Sequence, residues 1–495
     1  MHVAASNEPD LRDRRLRSAL RRNNLPLARG EDLSPPMRML TSPWFWALLL
    51  MIALQFYCLR AAYFDVVPDR QVPGGMLIGM GTEALKPAAT FAAYTVIPLS
   101  LLILWADRFR PHNFLVWLVT FGWGGTVAVF VSLRINTWAA TLMSVVGDGN
   151  PAAAARPAVY IAPFVEEAAK GSVLFLIALF LRYRWVSKLS GIVLAGLSAA
   201  AFAFVENIFY YGQAYRAAAR TTGAADPEEV LASYFVQRGV LTFFAHPLFT
   251  ILIGIGLAIS LRSKSKVVRI MAPLVGFLGA ALLHMLFNGT VSMGFPPQVL
   301  LILLLAVAYP MVIALVVFIV KQLFAERTLI RSRLTDYARM GWLPESDAHW
   351  VSRLTTRVRV LWQALWEGRP ISTWRMQRTL TELAYLRDAM ARGLVDDAGL
   401  VREKQLLLRA RRLRERAIVE PRPKTSYPWQ RLRARKTETW APPAYPGPAG
   451  LAGSYPALPV GQPSQAGYSA PQGVPLGSGA TTYSPVDPRW KPPSP

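Results

Sequence analysis

The sequence predicts an all-α membrane protein. Its main part is a polytopic bundle of about eight transmembrane helices, followed by a cytoplasmic helical region and a disordered Pro-rich tail. Three observations carry this. Charged residues make up only 17% of the chain, where soluble proteins carry about 25%. Those charges crowd at the two ends and leave the middle nearly bare. The middle holds eight apolar stretches, at 43–59, 87–105, 114–133, 159–181, 189–211, 239–261, 271–292 and 297–320. A helix of about 20 apolar residues spans the hydrocarbon core, and a helix satisfies its own backbone where lipid cannot.

Residues 1–42 form a basic arm, predicted to be cytoplasmic and largely disordered. It carries Arg12, Arg14, Arg15, Arg17, Arg21, Arg22, Arg29 and Arg38. So long a polar stretch ahead of the first span is not a signal peptide. Residues 43–320 hold the spans, and the loops between them give an orientation. The connection after span 2 has Arg108 and Arg110, that after span 4 has Arg182, Arg184 and Lys188, and that after span 6 has Arg262, Lys264, Lys266 and Arg269. The alternate loops are close to neutral. Basic loops stay inside, so both termini are expected in the cytoplasm. Cys58 is the single cysteine, which excludes an intramolecular disulfide and a Cys-rich metal cluster.

Residues 321–420 read as a basic helical region. Leu380, Leu383, Leu386 and Met390 fall at helical spacing in a segment from Thr379 to Arg416, and Arg409, Arg411, Arg412, Arg414 and Arg416 cluster near its end. After residue 420 come 17 of the 38 prolines. Such a composition cannot bury a core, so 421–495 is expected to be disordered. The net charge of +24 would suggest nucleic acid in a soluble chain. In a membrane protein it reports topology and contact of the basic cytoplasmic segments with anionic lipid, so no nucleic-acid partner is expected. The Trp and Tyr near span ends, such as Trp44, Trp46, Tyr210 and Tyr211, read as interfacial belts, and Arg238 as an interfacial anchor.

Spans 4 to 7 (159–292) break the apolar rule. They contain Glu166, Glu167, Lys170, Glu206, His246 and His284, with Asn207 and Asn288 beside them. Ionisable groups in a membrane cost about 2.5–3.5 kcal/mol each on insertion scales, so four such spans in a row point to a function. With the N-terminus inside and about 1.5 Å of rise per residue, all four spans put these groups in one layer of the outer half of the bilayer. Lys170 is one helical turn from both glutamates and balances part of their charge. His284 and Asn288 share a helix face. Pro163 and Pro247 are placed to loosen the backbone near the layer.

Two adjacent carboxylates in a low dielectric resist simultaneous ionisation, which supplies an acid and a base at one place. A carboxylate can activate water, and His and Asn can hold an oxyanion. Alternatively His246, His284 and Glu206 hold a divalent metal such as zinc, with a second glutamate as base. Both routes fit hydrolysis of a peptide bond inside the membrane. No Ser, Lys or Cys nucleophile is suggested, and no HExxH helix occurs. Catalytic candidates are therefore Glu166, Glu167, His246, His284 and Asn288. Lys170, Glu206 and Asn207 are supporting.

The run Glu166-Glu167-Ala168-Ala169-Lys170, then Phe202-Ala203-Phe204-Val205-Glu206-Asn207, then His246 in an apolar span, then His284-Met285-Leu286-Phe287-Asn288 resembles the PrsW family of intramembrane proteases. That family is related to the CAAX-protease and bacteriocin-processing superfamily. The resemblance covers about 159–292 and implies an intramembrane endopeptidase acting on membrane-spanning substrates of the anti-sigma-factor type. It implies central roles for Glu166 and Glu167 and site roles for His246 and His284. It leaves a metal-dependent and a metal-free glutamate mechanism both open. Arg, Ala and Pro content points to a high-GC bacterial source, hence a bacterial plasma membrane. Two other readings are a proton- or cation-coupled transporter and a non-catalytic membrane scaffold. Transporters often repeat their motifs in two halves, whereas here the polar motifs occupy one block. A scaffold leaves the buried acids without a reason.

Overall fold

The computed structural model describes residues 35–72, 75–109, 114–145, 156–182, 185, 187–221, 225–395 and 398–421. The predicted disordered tail (421–495) and most of the basic arm (1–42) lie outside these residues. The described end of the arm contains a short helix, Pro35–Leu40.

Eight helices follow in the order predicted: α1 (Pro43–Val66), α2 (Thr82–Ala106), α3 (114–145), α4 (157–180), α5 (Lys188–Arg220), α6 (Pro227–Leu261), α7 (Lys266–Ser292) and α8 (Pro297–Arg339). Seven of them are long and apolar enough to cross a membrane. The exception is α4, set apart by Glu166, Glu167 and Lys170 rather than by shortness. The protein is thus a polytopic membrane helix bundle.

Several helices outrun the apolar stretches that predicted them. α1 continues to Val66, α5 to Arg220 and α8 to Arg339. Hydrophobicity marks the part of a helix that can sit in lipid. The helix itself continues as long as good helix formers follow, as in the Ala- and Arg-rich end of α5. A small hairpin between α1 and α2 was not predicted. It pairs β1 (Arg70–Val72) with β2 (Gly75–Leu77).

Contacts divide the chain into two compact units, one ending at Ala325 and one running on from Glu326. In the first, α5 is the central element. Its apolar stretch is 72% buried, against α2, α3, α4 and α6. Small residues make this possible. A Cβ on Gly191 of α5 would lie 2.1 Å from the carbonyl oxygen of Gly254 in α6, and one on Gly254 would lie 2.2 Å from that of Gly191. The α6–α7 contact repeats the device, with Gly256 against Ala272 and Gly276 against Leu252. Close backbone approach through small residues is how helices pack where lipid supplies no hydrophobic drive.

The second unit contains α9 (Glu345–Ser352), α10 (Leu354–Trp366), α11 (Pro370–Ala391) and α12 (Ala398–Arg414). Leu380, Leu383, Leu386 and Met390 are all buried, as their spacing predicts. The single segment expected over Thr379–Arg416 is instead two helices. α11 ends at Ala391, and Gly393 follows with a left-handed φ of 62°, a conformation that ends helices.

Candidate active site

The site lies where α4, α5, α6 and α7 face one another around a cavity of about 450 Å³. Local backbone irregularity builds it. α4 opens with a wide π turn, Pro157–Ile161, before the regular segment Ala162–Phe180. In such a turn the carbonyl of Ala158 would pair with the amide of Pro163, which has no hydrogen. Asn288 of α7 donates to that orphaned oxygen at 2.9 Å. α6 carries a second π turn, Val236–Leu241, and restarts as Ala245–Leu261. Its loosened carbonyls find outside donors: Thr95 donates to Gly239 O at 2.8 Å and Tyr309 to Leu241 O at 3.4 Å. Pro247 therefore sits in the first turn of a new helix, where its missing amide costs little. His246 precedes it at the edge of the cavity. π turns of this kind recur at functional sites.

From these elements comes a continuous chain of polar contacts. Lys170 Nζ lies 2.5 Å from Glu167 Oε1 and 3.8 Å from Glu166 Oε2. It also donates to His246 Nδ1 at 3.1 Å. With Nδ1 accepting, Nε2 of His246 carries the proton and donates to Glu206 Oε2 at 2.9 Å. Arg238 donates to the same Glu206 oxygen at 2.5 Å and to Asn207 Oδ1 at 2.8 Å. Its guanidinium lies 3.9 Å from the Tyr210 ring centroid.

The two adjacent glutamates have unlike surroundings. Glu167 is fully buried. Its Oε1 accepts from Lys170 and from His284 Nδ1 (3.1 Å), and its Oε2 accepts from Thr250 at 2.7 Å. Glu166 lines the cavity. Its Oε1 accepts from Asn136 at 3.3 Å, and its buried Oε2 has no hydrogen-bond partner among the described residues. His284 Nε2 stands 3.9 Å from that oxygen. The His284 ring stacks on Phe249, centroids 4.9 Å apart.

These contacts bring together Glu166, Glu167, Lys170, Glu206, His246 and His284. Asn207 and Asn288 join through Arg238 and Ala158 respectively. A metal test gives a partial fit. Ligand atoms of Glu166, His246 and His284 lie within 4.8 Å of one another, a mixed N/O set suited to zinc. The carboxylate in this group is Glu166, whereas the sequence-based set was His246, His284 and Glu206. Glu206 instead faces His246 and Arg238. Glu167 orients His284 as carboxylates orient metal-binding histidines. Yet Lys170 occupies the Nδ1 lone pair of His246, so ligation through that nitrogen requires the lysine to let go. The polar chain holds three acids (Glu166, Glu167, Glu206) and two fixed cations (Lys170, Arg238). One surplus negative charge remains for a proton or a metal cation to meet.

Three contributors escaped sequence reasoning. Arg238 is tied to Glu206 and Asn207 rather than serving as an anchor. Thr250 sits one turn after His246, a spacing that could have found it. Asn136 lies beyond the predicted end of span 3 and left no signal. Tyr211 is fully buried and so belongs to no interfacial belt, while Trp44 and Trp46 are exposed.

No curated protein and no solved structure matches the chain significantly. Residues 111–320, which include every member of the polar chain, match the model of the PrsW family intramembrane metalloprotease, a family of intramembrane peptide hydrolases.

Proposed function

We propose that the enzyme cuts membrane-spanning proteins, of the anti-sigma-factor type by resemblance, and that Glu166 is the carboxylate that meets the attacking water. The observation behind this is the buried, unpartnered Glu166 Oε2 at the cavity. Glu167 has less capacity to spare, because Lys170 and His284 fill its Oε1 and Thr250 takes one of the two lone pairs of its Oε2.

The cavity admits an unwound stretch of substrate helix. Glu166 takes the proton from water and delivers it to the leaving amine. Glu167 holds His284 with Nε2 toward Glu166. Asn288 keeps one amide hydrogen on Ala158 and has a second for the developing oxyanion. The Lys170–His246–Glu206–Arg238 chain fixes the electrostatic frame before the reaction begins. A divalent ion such as zinc, held by Glu166, His246 and His284, would polarise the scissile carbonyl and acidify a bound water.

We place the protein in a bacterial plasma membrane with both termini cytoplasmic. The test is cleavage of single-span peptides by purified enzyme, beside its metal content, for wild type and Glu166→Gln. Wild type should cleave and the variant should lose at least about 100-fold, the scale of a lost general base. Stoichiometric zinc in wild type and its depletion in the variant would make Glu166 a ligand. Undiminished cleavage by Glu166→Gln would overturn the assignment.

A further inference from the structure

Among the described residues, the second unit presents an apolar face that nothing else in the unit covers. α10 is amphipathic. Arg357, Val360 and Ala364 point inward and are buried. Val358, Trp362, Leu365 and Trp366, spaced i, i+4, i+7 and i+8, share the opposite side. Trp362 is 61% exposed and Trp366 76%. Their rings meet edge to face with centroids 6.1 Å apart. The face continues onto the first turns of α11 through exposed Ile371 and Trp374. Exposed apolar patches of this kind mark interaction sites.

The rim is basic. Arg359, Arg369 and Arg375 are exposed, and the Arg378 guanidinium lies 4.6 Å from the Trp374 ring centroid. Ser372 donates to the carbonyl of Arg416 at 3.0 Å, which brings that exposed arginine beside Ile371. Glu367 is the single acid between residues 354 and 381, and Gln363 donates to it at 3.2 Å.

We propose that this face docks into the headgroup layer of an anionic membrane. Three features choose lipid as the occupant. Indole rings favour the boundary between acyl chains and headgroups, where one end of the ring is apolar and the other wet. A rim of arginines complements anionic headgroups, and the combination of apolar stripe and basic border defines interfacial helices. The chain is also anchored already. The last apolar helix, α8, continues past Glu326 to Arg339 and so joins this unit to the spans without a break, which keeps the bilayer surface at high effective concentration without a separate binding event. The sequence pointed to anionic lipid at the basic cytoplasmic segments as a group. The exposed tryptophans shift the centre of that contact to α10 and the start of α11.

The test uses full-length protein in vesicles and does not depend on cleavage, so it stands or falls apart from the protease reading. Trp366→Cys and, as a control, exposed Glu345→Cys are made on a Cys58→Ser background and labelled with an environment-sensitive fluorophore. Vesicles contain either neutral lipid alone or added phosphatidylglycerol, with a doxyl quencher near the headgroups. In anionic vesicles, quenching at 366 should exceed that at 345 at least twofold. Arg359→Glu with Arg375→Glu should bring it down toward the control. Equal, water-like signals at both positions would overturn the proposal. So would a buried signal at 366 that ignores the doxyl lipid and falls on dilution of the protein, since a second copy would then cover the face. All substituted side chains except Cys58 are exposed, and the circular dichroism of the Cys58→Ser protein without other changes, which has no thiol to label, checks the fold.

Discussion

Thr250 does not line the cavity, yet among the described residues it donates the only hydrogen bond to Glu167 Oε2. Thr250→Val keeps the shape and leaves that oxygen unsatisfied in a buried site. An orphaned buried acceptor costs about 1–3 kcal/mol, and loss of outer-shell support typically costs 10–100-fold in activity or metal affinity. Peptide cleavage should fall by about that factor while Thr250→Ser retains most of it. Equal activity in the Val and Ser variants would show that Glu167 needs no third donor. In the second unit, burial holds the Asp347 carboxyl above the ordinary aspartate range, outweighing Arg414 and the Trp350 indole. A folded-state value above the unfolded one means the fold binds this proton more tightly. The resulting stabilisation is full below about pH 4, the unfolded value, and is lost as pH rises through the folded value. The difference in unfolding midpoint between wild type and Asp347→Asn should therefore change across that window and level off above it.

Helix crossings hold the site at the element scale. The α5–α6 contact brings Gly191 and Gly254 within backbone distance, and the same two helices carry Glu206 and His246, which meet at 2.9 Å. Gly254→Leu forces the helices apart. Overpacking of this kind costs about 1–3 kcal/mol, and the displaced pair should lose most activity. Gly279→Leu is the comparison, because a Cβ there meets only Leu252 Cδ1 at 3.6 Å. Unfolding in detergent should separate the two, with Gly254→Leu clearly less stable. Such crossings were only partly legible in the sequence. Apolar length found all eight helices, and the buried charges singled out the four whose polar side chains meet. The unlike surroundings of Glu166 and Glu167 were not legible, since adjacent residues on a helix point about 100° apart and only packing decides which meets the cavity. Arg238 was misread for a related reason. Its position near a predicted span end suggested an interfacial anchor, but the Val236–Leu241 π turn brings it to Glu206 and Asn207. Hydropathy contains no trace of that turn, which depends on Thr95 and Tyr309 from distant helices.

For the whole molecule the orientation of the bundle decides where a substrate is cut. Arg182, Arg262, Lys264, Lys266 and Arg269 lie in the connections that follow α4 and α6 or at the start of α7, and the proposed orientation puts these ends of the bundle in the cytoplasm. Glu166 and His246 lie near the starts of their helical segments, Ala162–Phe180 and Ala245–Leu261, at the opposite ends from those basic loops. In the proposed orientation the site belongs to the outer half of the bilayer, and cleavage would release the outer part of a substrate while leaving most of its span in the membrane. Exposed Ala225, before α6, and exposed Lys264, after it, report on opposite sides. On a Cys58→Ser background, a membrane-impermeant maleimide added to intact cells or spheroplasts should label Ala225→Cys and leave Lys264→Cys unlabelled until the membrane is opened. The reverse pattern would move the site to the cytoplasmic half.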